Sequence, residues 1–385
     1  TLKGFQVKRK GGWDTHGLPI EIAVEKTLGI TKENIGVSIS VVDYNKACRK
    51  EVMKYKDKWD EITRMMGYWV DLENPYITFD NKYIESVWYL LQQLYKKGML
   101  YKGYSIQPYS PAAGTGLSSH ELNLPGCYKI VKDTTAVAQF KIIREKKSEF
   151  LFPQNHGDVF FLAWTTTPWT LPSNTALAVG KNIDYVLVKT FNPYTFLPVT
   201  LILAKERMTS YFPGENAEVK LTDYKEGQKQ IPFEIIAEYK GTDLDGIRFE
   251  QLLPYAQPTE GDPFRIVIGD FVTTEDGTGI VHIAPSFGAD DFRMNKLYNV
   301  GSLTLVNKQG KFTEEMGEFA GRYVKSEYDV NFNSEKYNTV DIDIVIKLKK
   351  ENKCFKAEKY EHSYPHCWRT DKPILYYPLD SWFIK

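Results

Sequence analysis

"DVFFLAWTTTPWTLPSNTA", residues 158–176, sets an apolar run directly against three consecutive threonines and a proline. The apolar run reads as a strand entering a core, and Pro168, which brings no N–H to a ladder, ends its pairing. Strand alternation sends Thr165 and Thr167 to one face and Thr166 to the other. Pro168 and Pro172 are expected to hold the following turn extended. Threonine favours strands and bonds to local backbone, which accounts for any one of these hydroxyls taken singly. The whole string, beside Trp169 and Asn174, describes a small pocket with one apolar wall and several donors and acceptors, suited to a small polar ligand and a water.

The same period of two extends outward from about 135 to 345. "TAVAQFKI", "DYVLVKT", "TLILA", "PFEIIAE", "RIVIGDF", "GIVHIA" and "DIVIKL" are short β-rich runs divided by Gly, Pro, Asn and Asp. So many strands with so little helix between them predict a barrel or sandwich. Upstream, from Tyr44 to Tyr101, the period is helical: Val52, Tyr55, Trp59, Ile62 and Met66 recur at spacings of three and four, as do Tyr83, Val87, Leu91 and Leu94. These stripes are expected to be core. Before them, "GFQVKRKGGWD" reads as a strand running into a loop and "IEIAVEKTLGI" as a short helix.

A chain of 385 residues exceeds one ordinary core, so two or three domains are expected. Forty-nine Lys and Arg balance 49 Asp and Glu, so any contact with nucleic acid has to be local. The sequence has no apolar run of membrane-spanning length. Cys48, Cys127, Cys354 and Cys367 are scattered thiols without a C-x-x-C pair, which fits a reducing cytoplasm. The start without Met and the strand-like end at "LDSWFIK" read as a piece of something longer.

Three further strings carry chemistry. In "EDGTGIVHIAPSFGADDF", residues 275–292, Gly277 and Gly279 allow a tight turn, "IVHIA" is a strand, and "PSFGADDF" is a loop opening a helix. His282 and Asp291 are thereby able to face one cavity, although acidic residues at a helix start are ordinary. In "GGWDTHGLPIE", residues 11–21, Asp14 and His16 flank Thr15 in a loop. In "YPHCWRTDKPILYYPLDSWF", residues 364–383, His366 and Cys367 are sequence neighbours, which seldom chelate one ion, so no metal is expected.

Together, in this order and spacing, these strings resemble the isoleucyl-tRNA synthetases, a class I aminoacyl-tRNA synthetase family. Valyl and leucyl relatives typically carry Arg-Pro where this chain has Thr167-Pro168-Trp169. The H-I-G-H and K-M-S-K-S signatures that bind ATP in this class are missing, so no cofactor is expected for these residues; ATP and Mg belong to a full-length enzyme. The resemblance implies an α+β fold: residues 1–45 a remnant of the Rossmann-type catalytic domain, 46–134 a helical connecting segment, 135–360 a β-barrel-like editing domain, and 361–385 a return strand. It implies hydrolysis of valine misattached to the isoleucine tRNA, with cleavage of valyl-adenylate before transfer left open, by a cytoplasmic monomer that receives the tRNA acceptor end and touches no membrane.

Residue roles come by the same match. Asp291 would hold the α-ammonium of the substrate, and His282, Trp169 and Tyr364 would wall the valine pocket, with His282 blocking isoleucine. Thr165, Thr166 and Thr167, with Asn174, would position the terminal ribose and a water. Asp14 resembles the residue that grips the amino group in the synthetic site. No strong general base is evident, so hydrolysis is expected to rest on positioning and electrostatics. Where bacterial relatives often carry paired cysteines, "YSPAAGTG" and "CWRTD" break both pairs, which argues against zinc and leans toward a eukaryote-like branch. The alternatives are a module that docks the acceptor end without hydrolysis, and a valyl-type or leucyl-type editing domain.

Overall fold

The computed structural model describes residues 2–152 and 157–385. The chain divides into two compact units, residues 1–104 with 380–385, and residues 105–379.

In the first unit, β1 (Lys10–Trp13) is followed by helices α1 (Leu18–Leu28), α2 (Val41–Val52) and α3 (Lys56–Met65), then β2 (Asp71–Ile77) and α4 (Asn81–Lys96), before β3 (Leu100–Ser110) begins. The helical reading of 44–101 is therefore interrupted: β2 pairs in parallel with β1, bringing Gly12 opposite Tyr76. A side chain at Gly12 would meet the Tyr76 ring, which explains the glycine there. The apolar stripes of α3 and α4 form as helices but are not core. Trp59 is 58% exposed and Met66 69%, and Tyr83, Val87 and Leu91 are exposed as well. A 3.6-residue stripe identifies the face of a helix that is apolar, not what lies over it.

The second unit contains β4 (Thr115–Gly116), α5 (Ser119–Leu122), β5 (Tyr128–Lys141), β6 (Val159–Thr165), β7 (Ala176–Val179), β8 (Asp184–Phe191), β9 (Pro198–Ala204), α6 (Met208–Tyr211), β10 (Glu234–Lys240), α7 (Gly241–Leu244), β11 (Arg265–Ile268), β12 (Ile280–Ile283), α8 (Ala289–Tyr298), α9 (Val340–Lys350), β13 (Cys354–Pro365) and the start of β14 (Leu375–Ile384). Nine of these strands form one mixed sheet in the order β10-β8-β9-β6-β12-β7-β11, with β5 pairing both β6 and β13. The result is an α+β architecture built on a curled, barrel-like sheet.

Alternation explains why the sheet is covered on both faces. Ala136, Ala138, Phe140, Phe161, Ala163 and Ile202 belong to the main apolar layer. Their odd-and-even neighbours Val137, Phe160, Leu162, Leu201 and Leu203 join a second layer with Phe212 and Phe355. "DIVIKL" departs from this pattern, because it lies within helix α9. Its β-branched residues mimic a strand, yet the buried apolar residues Val340, Ile344, Val345 and Leu348 are spaced at one and three to four residues, with Asp341 buried beside them. Asp341 and Asp343 in the first turn and Lys347, Lys349 and Lys350 in the last complement the helix dipole.

Strand β6 is the pivot of the sheet. Its first half pairs in parallel with β9, and Trp164 near its end faces Val281 of β12. The threonines that follow are thus delivered beside His282.

Candidate functional site

Thr165 closes β6 and is buried. Beyond it, Pro168–Ser173 forms a buried 3-10 turn rather than the extended segment expected. The fixed φ of proline suits a first helical position as well as it suits an extended one, and the residue before it, Thr167, supplies the non-helical backbone (φ −129°, ψ 74°). The turn folds Thr170 back under Thr167: the Thr170 N–H and hydroxyl donate to the Thr167 carbonyl at 3.0 and 2.8 Å.

The hydroxyls then form a line. Thr165 Oγ1 lies 3.2 Å from Thr167 Oγ1, which lies 3.3 Å from Thr170 Oγ1. The line ends at His282, whose Nε2 is 2.9 Å from Thr170 Oγ1. Because the Thr170 proton is committed to a carbonyl, its oxygen accepts from Nε2–H. Asn174 Nδ2, 3.3 Å from the other ring nitrogen, donates to Nδ1. Both contacts specify a neutral imidazole. Burial also pushes its pKa down to about 4. Asn174 is itself held by the Ala176 carbonyl at 2.8 Å.

Asp291 comes from the first turn of α8. Its Oδ2 accepts the N–H of Ala284, just past β12, at 3.0 Å. Burial raises its carboxyl to about 7, against the opposing pull of that N–H and with a smaller push from Asp290. Asp290 is the ordinary helix-start acid, exposed and paired with Arg293. Gly288 makes room for Asp291, since a Cβ there would stand 2.8 Å from the carboxylate carbon.

Thr165, Thr166, Thr167, His282 and Asp291 all line one cavity of about 340 Å³, with Trp164, Thr170, Phe271, Thr273, Thr278, Ala284 and Phe287. The loop from Asp276 to Gly279 forms part of its wall. Gly277 and Gly279 have φ of 64° and 72°, which side chains disfavour, and a Cβ on Gly279 would collide with Ala204. Arg207 and Tyr211 brace this loop through the Gly277 carbonyl at 2.9 and 3.1 Å.

Other residues singled out in the sequence lie elsewhere. Trp169 and Asn174 are buried behind the lining, Trp169 packing edge-on against Phe287 at 5.1 Å. Tyr364 is not among the lining residues: its hydroxyl donates to the Ile374 carbonyl at 3.0 Å and its ring faces Lys325 Nζ at 4.6 Å. Asp14 is exposed in the first unit, where it accepts from the His16 N–H. Thr170 escaped the sequence reading because an extended turn would have pointed it away from Thr167. Among the described residues, no group of three or more His, Cys, Asp or Glu is placed to hold a metal ion, and no helix is long and apolar enough to cross a membrane.

Residues 1–385 match the family model described as class I tRNA synthetases (I, L, M and V). The whole chain is 62% identical to an isoleucine--tRNA ligase of Cytophaga hutchinsonii and 57% identical to one of Bacteroides fragilis, and covers 36% of each. The chain therefore spans about a third of the length of these curated relatives. Both relatives are bacterial. Among solved structures, the P. knowlesi cytosolic leucyl-tRNA synthetase editing domain overlaps 61% of this chain and 97% of its own, with 12% identity and a TM-score of 0.40.

Proposed function

We infer, from the premise that this chain belongs to the class I tRNA synthetases of the I, L, M and V group, that its second unit hydrolyses valine wrongly esterified to the isoleucine tRNA. One observation carries the reading: a line of three threonine hydroxyls ending on a neutral histidine, and a carboxylate from another element, share a single small cavity.

Selection by size gives such a site its purpose. One methylene in an apolar pocket separates substrates by about 1–3 kcal/mol, roughly 10–200-fold, a magnitude associated with the isoleucyl enzymes themselves rather than obtained from this chain. A second pocket that admits only the smaller side chain removes the remaining error. His282 suits the role of stop: held from both ring nitrogens, it cannot swing away to admit another methylene.

Asp291 would take the α-ammonium of the bound amino acid, and that cation would draw its raised carboxyl back to the ionised form. Thr165, Thr166 and Thr167 would hold the terminal ribose and the attacking water. His282 is a donor at Nε2 and spent at Nδ1, so it does not act as a base; water attack on the ester carbonyl rests on placement and fixed dipoles. Cleavage releases free valine and an uncharged 3′ end. The acceptor end of the tRNA as partner, a monomeric state and a cytoplasmic setting come with this reading from the resemblance.

The test is deacylation of valyl-tRNA bearing the isoleucine anticodon by the 385-residue chain and by Asp291→Ala. Turnover by the first and its loss in the second are expected. Tight binding of the charged tRNA without turnover by either would instead support a docking module.

A further inference from the structure

Helix α9 opens with two acidic residues that behave differently. Asp343 meets Arg322 Nη1 at 2.8 Å near the surface, as a first-turn acid usually does. Asp341 is 6% exposed and turned inward, and its Oδ1 accepts the N–H of Trp169 at 2.9 Å, a residue 172 positions away in the chain.

The partner is informative. A 3-10 turn leaves its first N–H groups without internal acceptors. Pro168 has none to give, so the N–H of Trp169 is the first that requires one. Trp169 stands between Thr167 and Thr170, the two hydroxyls that connect Thr165 to His282, and its ring rests on the cavity-lining Phe287. Fixing that one N–H fixes the pitch of the turn and hence the line of hydroxyls.

The surroundings of Asp341 are charged and buried. Lys325, 5% exposed, draws the carboxyl toward its ionised form and is itself bonded to Asp133 at 2.8 Å. Asp133 and Glu327 oppose it, and His362 meets Asp133 at 3.3 Å. Burial is the largest influence and raises the Asp341 carboxyl to about 7. Burying a carboxylate with one N–H is a poor route to stability, since an apolar side chain of similar volume usually serves the fold as well.

We propose that Asp341 is a positioning residue for the hydrolysis, holding the start of the Thr167–Thr170 turn against the cavity without touching substrate. The proposal rests on the function inferred above, and its test separates the two. Asp341→Asn keeps an acceptor oxygen for Trp169; Asp341→Leu removes it. In the 385-residue chain, the Leu variant is expected to lose kcat on valyl-tRNA by about 100-fold, with KM within about threefold of wild type. It should also lose hydrogen-exchange protection at the Trp169 amide. The Asn variant should keep both. Unchanged Trp169 protection in the Leu variant overturns the proposal whatever the catalytic result, and so does an Asn variant as impaired as the Leu variant. If the wild-type chain cleaves no ester, the hydrolysis reading fails, while exchange at Trp169 still decides whether Asp341 sets the turn.

Discussion

The imidazole of His282 is gripped from both sides, by Thr170 at Nε2 and by Asn174 at Nδ1, at 2.9 and 3.3 Å. Two elements more than a hundred residues apart thereby share one rigid wall. A side chain fixed in this way excludes by shape, because a pocket that cannot relax charges the full cost of overpacking to a larger ligand.

Truncating that wall should therefore relax discrimination. His282→Ala is expected to hydrolyse the correct isoleucyl ester about 10–100-fold faster than wild type, while valyl ester hydrolysis persists. Initial rates on the two charged tRNAs measure this. An unchanged ratio between them would remove His282 from the sieve.

Thr170 supports the histidine, so replacing its hydroxyl with a methyl of nearly equal size should be felt at His282. Thr170→Val leaves the buried Nε2–H without an acceptor, at an expected cost of about 1–3 kcal/mol. Chemical denaturation at neutral pH reads the loss. A midpoint equal to wild type would mean that another acceptor replaces the hydroxyl.

Gly288→Ala tests the placement of Asp291. The Gly288 backbone (φ −150°, ψ 140°) is open to any residue, so strain is not at issue. The new methyl would instead stand 2.8 Å from the Asp291 carboxylate carbon and displace it. KM for valyl-tRNA should rise about tenfold or more, with folding little affected beyond the ordinary preference of a helix start for Gly over Ala. An unaltered KM would show that the carboxylate has slack.

What the sequence made legible follows from which forces are local. Strand parity brings Thr165 and Thr167 to one side, their hydroxyls 3.2 Å apart, but β6 ends at Thr165, and Thr166, expected on the opposite face, lines the same cavity. The β-rich runs appeared as strands by the same parity. Helix α9 did not, since Asp341-Ile342-Asp343-Ile344 alternates by charge while its buried set is spaced for a helix. The strand-like run gives no sign of Asp341, whose partner Trp169 lies 172 positions away in the chain. Thr170 is illegible for a smaller reason: Pro168 and Pro172 suit an extended segment as well as the 3-10 turn that brings Thr170 to Thr167. Tyr364 shows the converse: motif position alone did not reveal that its hydroxyl is spent on the Ile374 carbonyl.

Asp291 gives stability and substrate binding opposite dependences on pH. Its carboxyl lies at about 7 in the fold against an ordinary 3.8, because burial disfavours the charge. Between those values the folded chain holds a proton that the unfolded chain has released. This group's contribution to stability therefore falls as pH rises from about 4 to about 7 and stays low above that. Asp291→Asn removes the titration, so the variant should gain on the order of 1–3 kcal/mol over wild type at pH 8, with the gain vanishing near pH 4. His282 contributes oppositely between about 4 and 6.5, and it cancels in the comparison because both chains carry it. Catalysis should show the reverse preference. An ammonium is bound by the carboxylate, not the acid, so KM for valyl-tRNA should fall as pH rises from 6 toward 7.5. It should rise again once the substrate's own amino group deprotonates, ordinarily near 7.7–8.0. Steady-state KM across that range, set beside the Asn variant, separates the two limbs; a wild-type KM that stays flat below pH 7.5 would detach Asp291 from the ammonium.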